Sequence, residues 1–528
     1  MNFILYSDIN EHSIRQNLGH PDASYFFVLK AYRPLLETLG RVHVVTAVAE
    51  VDPLYRELLA AGQRSVFLSF TRPQKTAIDL ECPTVCVVAW EYDSIPDEQW
   101  GDDPGQDWTR MLASHGRVIT LSSHTARAIR RSMGEDFPVL VLPAPLGEGL
   151  ASIRKQHLST PVNTGTTLTL KGCIFDSRQM NLHPDNLLPK PLTAEELAQI
   201  EAQLEASRPP PLTFKRRLVI AKHYLRLWLL NAGHDQTPVV PRVRFLQSWY
   251  WEGIHDLLGH SWQDWLARHL PGIAGPLPLP VSVQPPPPPR DMPDTSLQVQ
   301  AKVDGVVYAS VFRPADGRKN WLQILTAFCA AFRDTPDATL VMKFTQSDLA
   351  AVYAHLMTPL AQLAPFSCRV MMIHGYMDDA QYARLYQSAS FYVNASHCEG
   401  LCLPLMEFMA CGKPVIAPDH TAMQDYIDES VAFVVDSSVE ACTWPHDPRM
   451  LFRAHRHRPD WGSLKKAYED SYRMATTQPQ DYQRMSMAAA QRMQDYSAFS
   501  VLQKRVEDFF RLEPQSGHVA QVTDGAPC

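Results

Sequence analysis

The sequence predicts an α/β protein built from two similar halves, each a parallel β-sheet with helices between its strands. Short apolar runs alternate with helical patterns over residues 1–145, and the same alternation returns over residues 306–417. Strands that alternate with helical patterns indicate βαβ units and a parallel sheet. A chain of 528 residues is also too long for a single hydrophobic core. Two domains facing a cleft are therefore expected.

The strands of the first half can be placed one by one. Apolar runs of strand length occur at residues 3–6, 42–46, 65–68, 85–89, 118–121 and 139–142. Helical patterns separate most of them, for example over residues 25–39 and 125–133. Ser122, Ser123 and His124 precede the second of these helices as candidate capping residues.

The second half repeats this order. Its predicted strands are residues 306–311, 339–344, 370–373, 390–394 and 415–417. A helix follows the first strand, because Trp321, Leu325, Phe328 and Phe332 are spaced four, three and four residues apart and share one face. Ligands of such sheets bind beyond the carboxyl ends of the strands, so the loops after these strands are candidate site loops.

The composition along the chain predicts five segments. They are a first domain over residues 1–147, an insert over 148–296, a second domain over 297–480, a C-terminal helix over 481–513 and a disordered tail over 514–528. Within the insert, residues 160–190 have some strand character, and five prolines at 285–289 predict a stiff spacer.

The bulk composition excludes several kinds of protein. A net charge of −7 and a pI near 6.3 argue against nucleic acid as a partner. Ten scattered cysteines without C-x-x-C pairs favour reduced thiols in a cytoplasmic protein, and metal-ligand spacing is absent. No apolar run approaches the length of a membrane span, and the N-terminus enters a predicted strand without a basic signal-peptide start.

One helix of the insert, predicted over residues 213–230, is cationic and amphipathic. Lys215, Lys222 and Arg226 share a face, and Leu218, Ala221, Leu225 and Leu229 form an apolar stripe. Such a helix can lie at an anionic membrane surface. The alternative is that the stripe packs on its own domain and the charged face is solvated. The sequence leaves both interpretations open.

The most informative stretch is residues 394–417. It predicts a strand, a glycine-bearing loop, a helix that begins at Pro404 and ends at Gly412, and a second strand. The helix N-terminal amides then point beyond the carboxyl end of the strand, which is a favourable place for a phosphate. Glu399 and Glu407, with seven residues between them, bracket that place.

At these residues the chain resembles the retaining, nucleotide-sugar-dependent glycosyltransferases of family 4, which have the GT-B fold of two Rossmann-like domains. Their signature is E-x7-E, usually with Gly-Phe-Gly-Leu-Pro after the first glutamate; here leucine replaces phenylalanine and cysteine replaces the second glycine. The resemblance implies that Glu399 lies against the donor sugar, that Glu407 holds the ribose hydroxyls, and that the C-terminal helix returns to the first domain. It also implies donor contacts for Gly400, Leu401, Cys402 and Leu403.

A glycosyltransferase must neutralise a departing nucleoside diphosphate, with positive side chains or with a metal. Arg313 and Lys319 lie six residues apart in the loop after strand 306–311. The resembling family places an arginine and a lysine at this spacing on the diphosphate and typically needs no metal. Arg318 takes the arginine role if the loop is threaded differently, and a solvated basic turn is the alternative.

Weaker signals come from five other positions. In the resembling family, the segment that corresponds to Tyr376 and Met377 passes by the nucleotide base, and Gly19 occupies the place of the glycine-rich first loop. Lys343 ends strand 339–344 and is either a phosphate or sugar contact or a plain strand-end lysine. Many family members have a histidine where this chain has Trp90 and Glu91. Glu91 is therefore the candidate for orienting or deprotonating the acceptor hydroxyl.

The resemblance implies a sugar transfer from a UDP- or GDP-sugar to a glycan or lipid-linked acceptor, with retention of configuration and without a prosthetic group or metal. Surface polysaccharide assembly in the cytoplasm, with contact at the inner face of the membrane through residues 213–230, is the expected setting. Two alternatives stay open. One is a non-catalytic GT-B scaffold that binds a partner or a membrane through its insert, and the other is a sugar-nucleotide epimerase.

Overall fold

The computed structural model describes residues 1–17, 19–100, 103–146, 148–156, 160–183, 193–207, 213–230, 242–274 and 292–511. The chain divides into two compact units, one formed by Met1–Pro189 with Pro288–Cys528 and the other by Lys190–Pro287. The predicted proline spacer at 285–289 and the predicted tail at 514–528 lie outside the described residues.

A six-stranded parallel sheet forms the core of the first half, in the order β2-β1-β3-β4-β5-β6. All six predicted strands are present, as β1 (Asn2–Tyr6), β2 (Arg41–Val44), β3 (Ser65–Ser69), β4 (Thr84–Val88), β5 (Val118–Thr120) and β6 (Val139–Val141). The helices are α1 (Ala23–Leu39), α2 (Val51–Ala60), α3 (Trp108–His115), α4 (Ser123–Met133) and α5 (Glu148–Gln156). Because β1, β3 and β4 are neighbours, the loops after them lie side by side at one edge.

Local chemistry explains the start of α4 and the buried face of α1. Ser122 precedes α4, and its Oγ accepts a hydrogen bond from the backbone N–H of Thr125, which confirms the predicted cap. In α1, Tyr32, Leu35 and Leu36 are buried against the sheet at helical spacing.

The second compact unit is helical in its described part. Its elements are α6 (Ala194–Ser207), α7 (Phe214–Leu230), α8 (Arg242–Ser248), a π-helical turn (Trp249–Ile254), α9 (His260–His269) and α10 (Pro271–Ala274). The helix predicted over residues 213–230 is thus present as α7.

An eight-stranded sheet forms the core of the second half, in the order β14-β13-β12-β9-β10-β11-β8, with β7 paired to β9. Its strands are β7 (Asn163–Lys171), β8 (Cys173–Asp176), β9 (Gln298–Phe312), β10 (Ala338–Phe344), β11 (Arg369–His374), β12 (Phe391–Val393), β13 (Val415–Ala417) and β14 (Ala432–Val434). The pairing is parallel except where β8 meets β11 and β7 meets β9.

Strands β7 and β8 lie inside the range predicted as an insert, so this part of residues 148–296 belongs to the second sheet. The signal was weak because β7 is mostly polar, and its fully buried apolar side chains are Leu168 and Leu170. Similarly, β9 begins eight residues before the predicted strand, because its first half alternates polar and apolar residues and pairs with β7.

Helices and one hairpin complete the second half. They are α11 (Trp321–Ala331), α12 (Ala350–Leu363), α13 (Asp379–Ser388), α14 (Leu403–Ala410), the antiparallel pair β15 (Ser437–Thr443) and β16 (Phe452–Pro459), α15 (Trp461–Thr477), α16 (Pro479–Ser497) and α17 (Phe499–Arg511). The predicted stripe of α11 is confirmed, since Trp321, Leu325, Phe328 and Phe332 are all buried.

The chain end packs on the first half. The Phe510 ring meets Phe3 edge-on at a centroid distance of 5.9 Å, and the Arg117 guanidinium lies 5.8 Å from the centre of the Phe509 ring. Two Rossmann-like halves with a returning terminal helix make up the GT-B arrangement, and the predicted fold class is confirmed.

A buried ion pair fixes strand β8 to the second sheet. Arg369 on β11 donates two hydrogen bonds to the carboxylate of Asp176, at 3.1 and 2.6 Å, and both side chains are almost fully buried. Replacing Asp176 with alanine leaves the guanidinium with Asp304 as its remaining acidic partner, so we expect a loss of about 3 kcal/mol in the free energy of unfolding. Urea denaturation measures this loss.

The matched control is Glu469→Ala, which removes the partner of Lys465 in an exposed pair on α15. We expect a loss of at most about 0.5 kcal/mol there. Equal losses for the two variants would contradict a special role for the buried pair.

Candidate functional site

The candidate site lies where the carboxyl ends of four adjacent strands of the second sheet meet. In the order β12-β9-β10-β11, these strands are followed by the Glu399 loop, the Arg313–Lys319 loop, the segment after Lys343, and the Tyr376 segment. The predicted site residues of this half therefore share one edge, as expected for ligand sites of parallel sheets.

Glu399 is the centre of a buried ionic cluster. Lys319 Nζ lies 2.7 Å from its Oε1 and 2.9 Å from its Oε2, and Oε1 also accepts hydrogen bonds from Ser396 Oγ at 2.7 Å and Asn394 Nδ2 at 3.2 Å. Burial alone would raise the pKa of Glu399, but the charges of Lys319 and Arg318 outweigh it and lower the pKa to about 2. Glu399 is an ionised carboxylate at neutral pH.

Three non-glycine residues with positive φ surround this carboxylate. They are Asn320 (φ 50°), Cys402 (φ 64°) and Thr421 (φ 53°). Each is held by a hydrogen bond to the strand β12 segment or to Glu399: Asn320 Nδ2 donates to Ala395 O, Cys402 Sγ accepts from Asn394 Nδ2, and Thr421 Oγ1 accepts from Glu399 N. Such conformations cost on the order of 1 kcal/mol each and cluster at functional sites.

Cys402 stands where the resembling family has glycine, and its backbone adopts the left-handed conformation that glycine favours. The side chains of Leu401 and Cys402 are buried in the core. Leu403 begins α14, which has Pro404 in its first turn. Donor contacts of this loop stay a prediction, and the burial of these apolar side chains leaves the backbone as the part of the loop that could make them.

Arg318 connects the two halves of the chain. Its guanidinium lies 3.2 Å from Glu91 Oε1 of the first half, 3.5 Å from Glu399 Oε2 and 3.0 Å from Asp316 Oδ2, and it also donates to the backbone carbonyl of Cys398. Burial raises the pKa of Glu91, and the Arg318 charge opposes this rise. The structure therefore brings Glu91 to the site, through the arginine that the sequence offered only as an alternative.

Arg313 sits in a group of buried polar atoms that have no hydrogen-bond partner in the described part of the chain. The group comprises Arg313 Nε and Gln346 Oε1, and the ring of His374 lies beside the backbone groups of Gln346 and Ser347. These atoms follow the neighbouring strands β9, β10 and β11. Since unpaired buried polar atoms are rare in proteins, this corner of the site suits a polar or anionic ligand.

Lys343 is buried beside this corner rather than exposed at the cleft mouth. It is 2% exposed, and its Nζ donates to the carbonyl of Phe344 at 2.9 Å. Burial lowers the pKa of Lys343 to about 7, and burial with the Lys343 charge lowers the pKa of His374. A role for Lys343 in ligand binding stays a prediction.

Glu407 has the opposite ionisation to Glu399. It lies on α14 and accepts a hydrogen bond from Tyr386 OH at 3.0 Å. Burial raises its pKa to about 7, and the Tyr386 hydrogen bond and the nearby Lys30 of the first half oppose this rise. Lys30 Nζ itself lies 2.9 Å from Asp379 Oδ1, so helix α1 of the first half approaches this end of the site.

The loop after β1 of the first half also contacts the Tyr376 segment of the second half. The Arg15 guanidinium lies 5.1 Å from the centre of the Tyr376 ring. A Cβ on Gly19, whose φ is +89°, would lie 2.9 Å from the backbone oxygen of Thr345. Met377 is buried in the core, so of the two residues predicted near the base only Tyr376 is partly exposed. Arg15 was not predicted, because nothing in its local sequence marks it.

Two buried histidines near the cluster were also missed or assigned a different role. His420 is 4% exposed and stacks on His457 at 4.3 Å, and burial lowers its pKa to about 3. His124, predicted only as a capping residue, has a pKa lowered to about 4 for the same reason. Nε2 of His124 and of His420 is buried without a partner among the described residues, so each offers one neutral ring nitrogen. Their positions depend on long-range packing that sequence spacing does not show.

The hairpin β15–β16 joins the two halves beside the site. Asp93 binds the backbone N–H and the ring of His455, at 2.7 and 3.0 Å. Ser94 Oγ donates to Arg453 O at 2.6 Å and accepts from Trp444 Nε1 at 3.1 Å. The loop that carries Glu91 is therefore held against the second half.

Two kinds of feature are absent from the described ranges. No group of three or more His, Cys, Asp or Glu side chains there is placed to hold a metal ion. No helix in the same ranges is long and apolar enough to cross a membrane.

Comparison with known proteins gives one family match. Residues 369–444, which include Glu399 and Glu407, match the family model described as glycosyl transferases group 1. No curated protein matches the chain. The family match supports a transferase enzyme.

Several solved structures are similar over nearly the whole chain, at low sequence identity. A glycosyltransferase from Rickettsia africae ESF-5 has a TM-score of 0.47 and 8% identity, with 98% of this chain and 99% of that chain covered. A sucrose-phosphate synthase from Thermosynechococcus elongatus has a TM-score of 0.43 and 12% identity, with coverages of 97% and 98%. HepE of Anabaena, in complex with UDP and glucose, has a TM-score of 0.44 and 9% identity, with coverages of 97% and 99%.

The raised pKa of Glu407 predicts a pH dependence of stability. A carboxyl whose pKa rises from 4.5 to about 7 on folding contributes stability that is fully present below pH 4.5 and is lost as the pH rises through 7. We therefore expect the wild type to lose melting temperature relative to Glu407→Gln between pH 5.5 and pH 8.5. Scanning calorimetry of both proteins measures the difference.

The comparison of the two proteins cancels the contributions of groups that they share. Lys343 and Lys413, with pKa values lowered to about 7 and about 8, titrate in the same window with the opposite sign. A constant difference in melting temperature across this pH range would show that the pKa of Glu407 is not raised.

Proposed function

We propose that the chain is a retaining glycosyltransferase of the family 4 type. It would move a sugar from a UDP- or GDP-sugar to a glycan or lipid-linked acceptor, in the cytoplasm or at the inner face of the membrane, during surface polysaccharide assembly. The observation that carries this proposal is the cluster of Glu399, Lys319 and Arg318 at the strand ends, joined to Glu91 of the first half.

The cationic side chains suit a nucleoside diphosphate. Burial works against the charge of Lys319, but Glu399 raises its pKa, so the ammonium stays protonated. Arg313 contributes a guanidinium whose Nε is not used by any described residue. The N-terminus of α14 adds backbone amides on the same side. These groups together can stabilise the negative charge that develops on the leaving diphosphate.

The state of Glu399 argues for a transfer without a covalent sugar–enzyme intermediate. Both of its oxygens are bound by Lys319, and Oε1 also accepts from Ser396 and Asn394, so this carboxylate positions the sugar rather than attacking it. In the proposed step the bond between the anomeric carbon and the diphosphate oxygen breaks. The acceptor oxygen bonds to the same face of that carbon, and its proton passes to the departing phosphate oxygen.

The first half supplies a polar surface for the acceptor. Beyond the ends of β1 and β3, Asp22 pairs with Arg72 Nη2 at 2.9 Å and with Lys75 Nζ at 2.7 Å, and Lys75 also pairs with Asp8 at 2.8 Å. Each of these charges has a partner, and the more exposed pair, Lys75 and Asp8, offers hydrogen bonds to hydroxyl groups without a net charge. This favours the glycan part of an acceptor at this position.

The test is a thermal-shift panel of UDP-, GDP-, ADP- and TDP-sugars with the wild type and Glu407→Ala. Stabilisation by one nucleotide class, lost in the variant, supports the donor site. Nuclear magnetic resonance of the product then gives its anomeric configuration. Inversion would refute retention, and release of an altered free sugar nucleotide would establish the epimerase. A folded protein that shifts with none of the donors would establish the non-catalytic scaffold.

Arg313→Ala gives the sharpest kinetic prediction. Because no acidic partner of Arg313 occurs among the described residues, its removal should leave the melting temperature of the free protein nearly unchanged. The rate of sugar transfer should fall by about a hundredfold, as for the loss of one group that stabilises developing charge. Steady-state kinetics with the donor from the panel measures the rate.

Lys466→Ala is the matched control, because it removes an exposed cation of α15 that is paired with Asp470. We expect its transfer rate to equal that of the wild type. An Arg313→Ala variant with the rate of this control would exclude Arg313 from the diphosphate site.

A further inference from the structure

Helix α7 of the second compact unit has an unusual charge composition. It spans Phe214–Leu230 and carries Lys215, Arg216, Arg217, Lys222 and Arg226, without an acidic residue. The helix is therefore strongly cationic in a chain whose net charge is −7.

One face of α7 packs within its own unit. Ala221 is buried, and Gly253 of the π-helical turn lies so close that an added Cβ would be 2.9 Å from the Ala221 Cβ. Tyr224 OH donates to Glu252 at 3.0 Å, and Arg217 forms an ion pair with Asp256. This packing fixes which side of α7 faces outward.

Most of the apolar stripe of α7 is exposed, although its Ala221 packs on the π-helical turn. Phe214, Leu218, Leu225 and Leu229, spaced four, seven and four residues apart, are 62%, 51%, 40% and 57% exposed. Of the stripe predicted from the sequence, only Ala221 is buried. The helix thus packs on its own unit through Ala221, whereas the leucines of the stripe form an exposed apolar surface.

Cations border this stripe along the helix. Lys215 directly follows Phe214, Lys222 lies four residues after Leu218, and Arg226 directly follows Leu225. Helical geometry therefore places all three cations on the same flank of the stripe. None of them has an acidic partner in the part of the chain that the structure describes. An apolar strip with long cationic side chains beside it fits a boundary between acyl chains and anionic headgroups.

The same unit exposes two tryptophans on α9. Trp262 and Trp265 are 61% and 43% exposed and lie next to each other, with ring centroids 5.9 Å apart. Tryptophan is enriched where a protein meets the headgroup region of a bilayer, because its ring is amphipathic.

From these observations we infer that α7 and α9 dock the protein onto an anionic lipid bilayer, with the exposed stripe of α7 lying along the bilayer surface. The positive charge of α7 favours the bilayer over a second copy of this chain, because a second copy would bring an identical cationic helix against the first. Only the purpose of this docking, which is to bring the enzyme to a lipid-linked acceptor, rests on the proposed function.

The test is co-sedimentation of the full chain with vesicles of phosphatidylcholine alone or with about a third of phosphatidylglycerol. We expect binding to the anionic vesicles, weakened by salt because surface charges are screened. Lys222→Glu/Arg226→Glu should weaken this binding at least tenfold, because each cation near an anionic surface contributes to affinity. Leu225→Ser/Leu229→Ser should also weaken it, by removing apolar contact.

The matched control is Arg41→Glu/Arg110→Glu, which changes the charge equally at two exposed arginines of the first half. It should bind as the wild type does. Absence of wild-type binding to anionic vesicles, or equal loss in this control, would overturn the inference. So would light scattering that shows a dimer of the wild type and a monomer of Leu225→Ser/Leu229→Ser.

Donor thermal shifts separate this inference from the proposed function. The α7 variants should keep the donor shift of the wild type, because they leave the site unchanged. Vesicle binding without any donor shift would support the docking surface and refute the transferase. A donor shift without vesicle binding would support the transferase and refute the docking surface.

Discussion

The buried ion cluster around Glu399 is the interaction on which the rest of the site depends. A carboxylate that is 4% exposed is stable only if cations and hydrogen-bond donors compensate for its lost hydration. Lys319 and Arg318 come from the loop after β9, while Ser396 and Asn394 come from the loop after β12. These loops can meet because β9 and β12 are neighbours in the sheet. The order of the strands in the sheet therefore determines which charged groups meet in the cluster.

Two glutamates with seven residues between them show how surroundings rather than spacing decide ionisation. Glu399, facing two cations, has a pKa lowered to about 2, whereas Glu407, half-buried and hydrogen-bonded to a tyrosine hydroxyl, has a pKa raised to about 7. Acids whose environments separate their pKa values in this way serve different roles in one site. In this chain the first can orient a substrate as an anion, and the second can become an anion when a ligand changes its surroundings.

The sequence predicted most of the fold and part of the site, and local chemistry explains the difference. Periodicity identified the predicted strands and the buried face of α11, because burial of every second or every third to fourth residue leaves a pattern in one segment. Strand β7 left only the weak strand character predicted over residues 160–190, since only two of its apolar residues are fully buried. The contacts of Arg318 with Glu91 and the burial of Lys343 and His420 depend on segments far apart in the chain. Such contacts leave no local pattern.

The hairpin β15–β16 has a consequence for how this enzyme can change. Its Trp444 shares one hydrophobic core with Trp90 and Trp108 of the first half and with Cys398, the residue before Glu399. The halves therefore are not interchangeable modules, because either half taken from a relative would meet a foreign set of aromatic side chains beside Glu399. Recombination of halves would here require the hairpin to be exchanged together with the loop that it contacts.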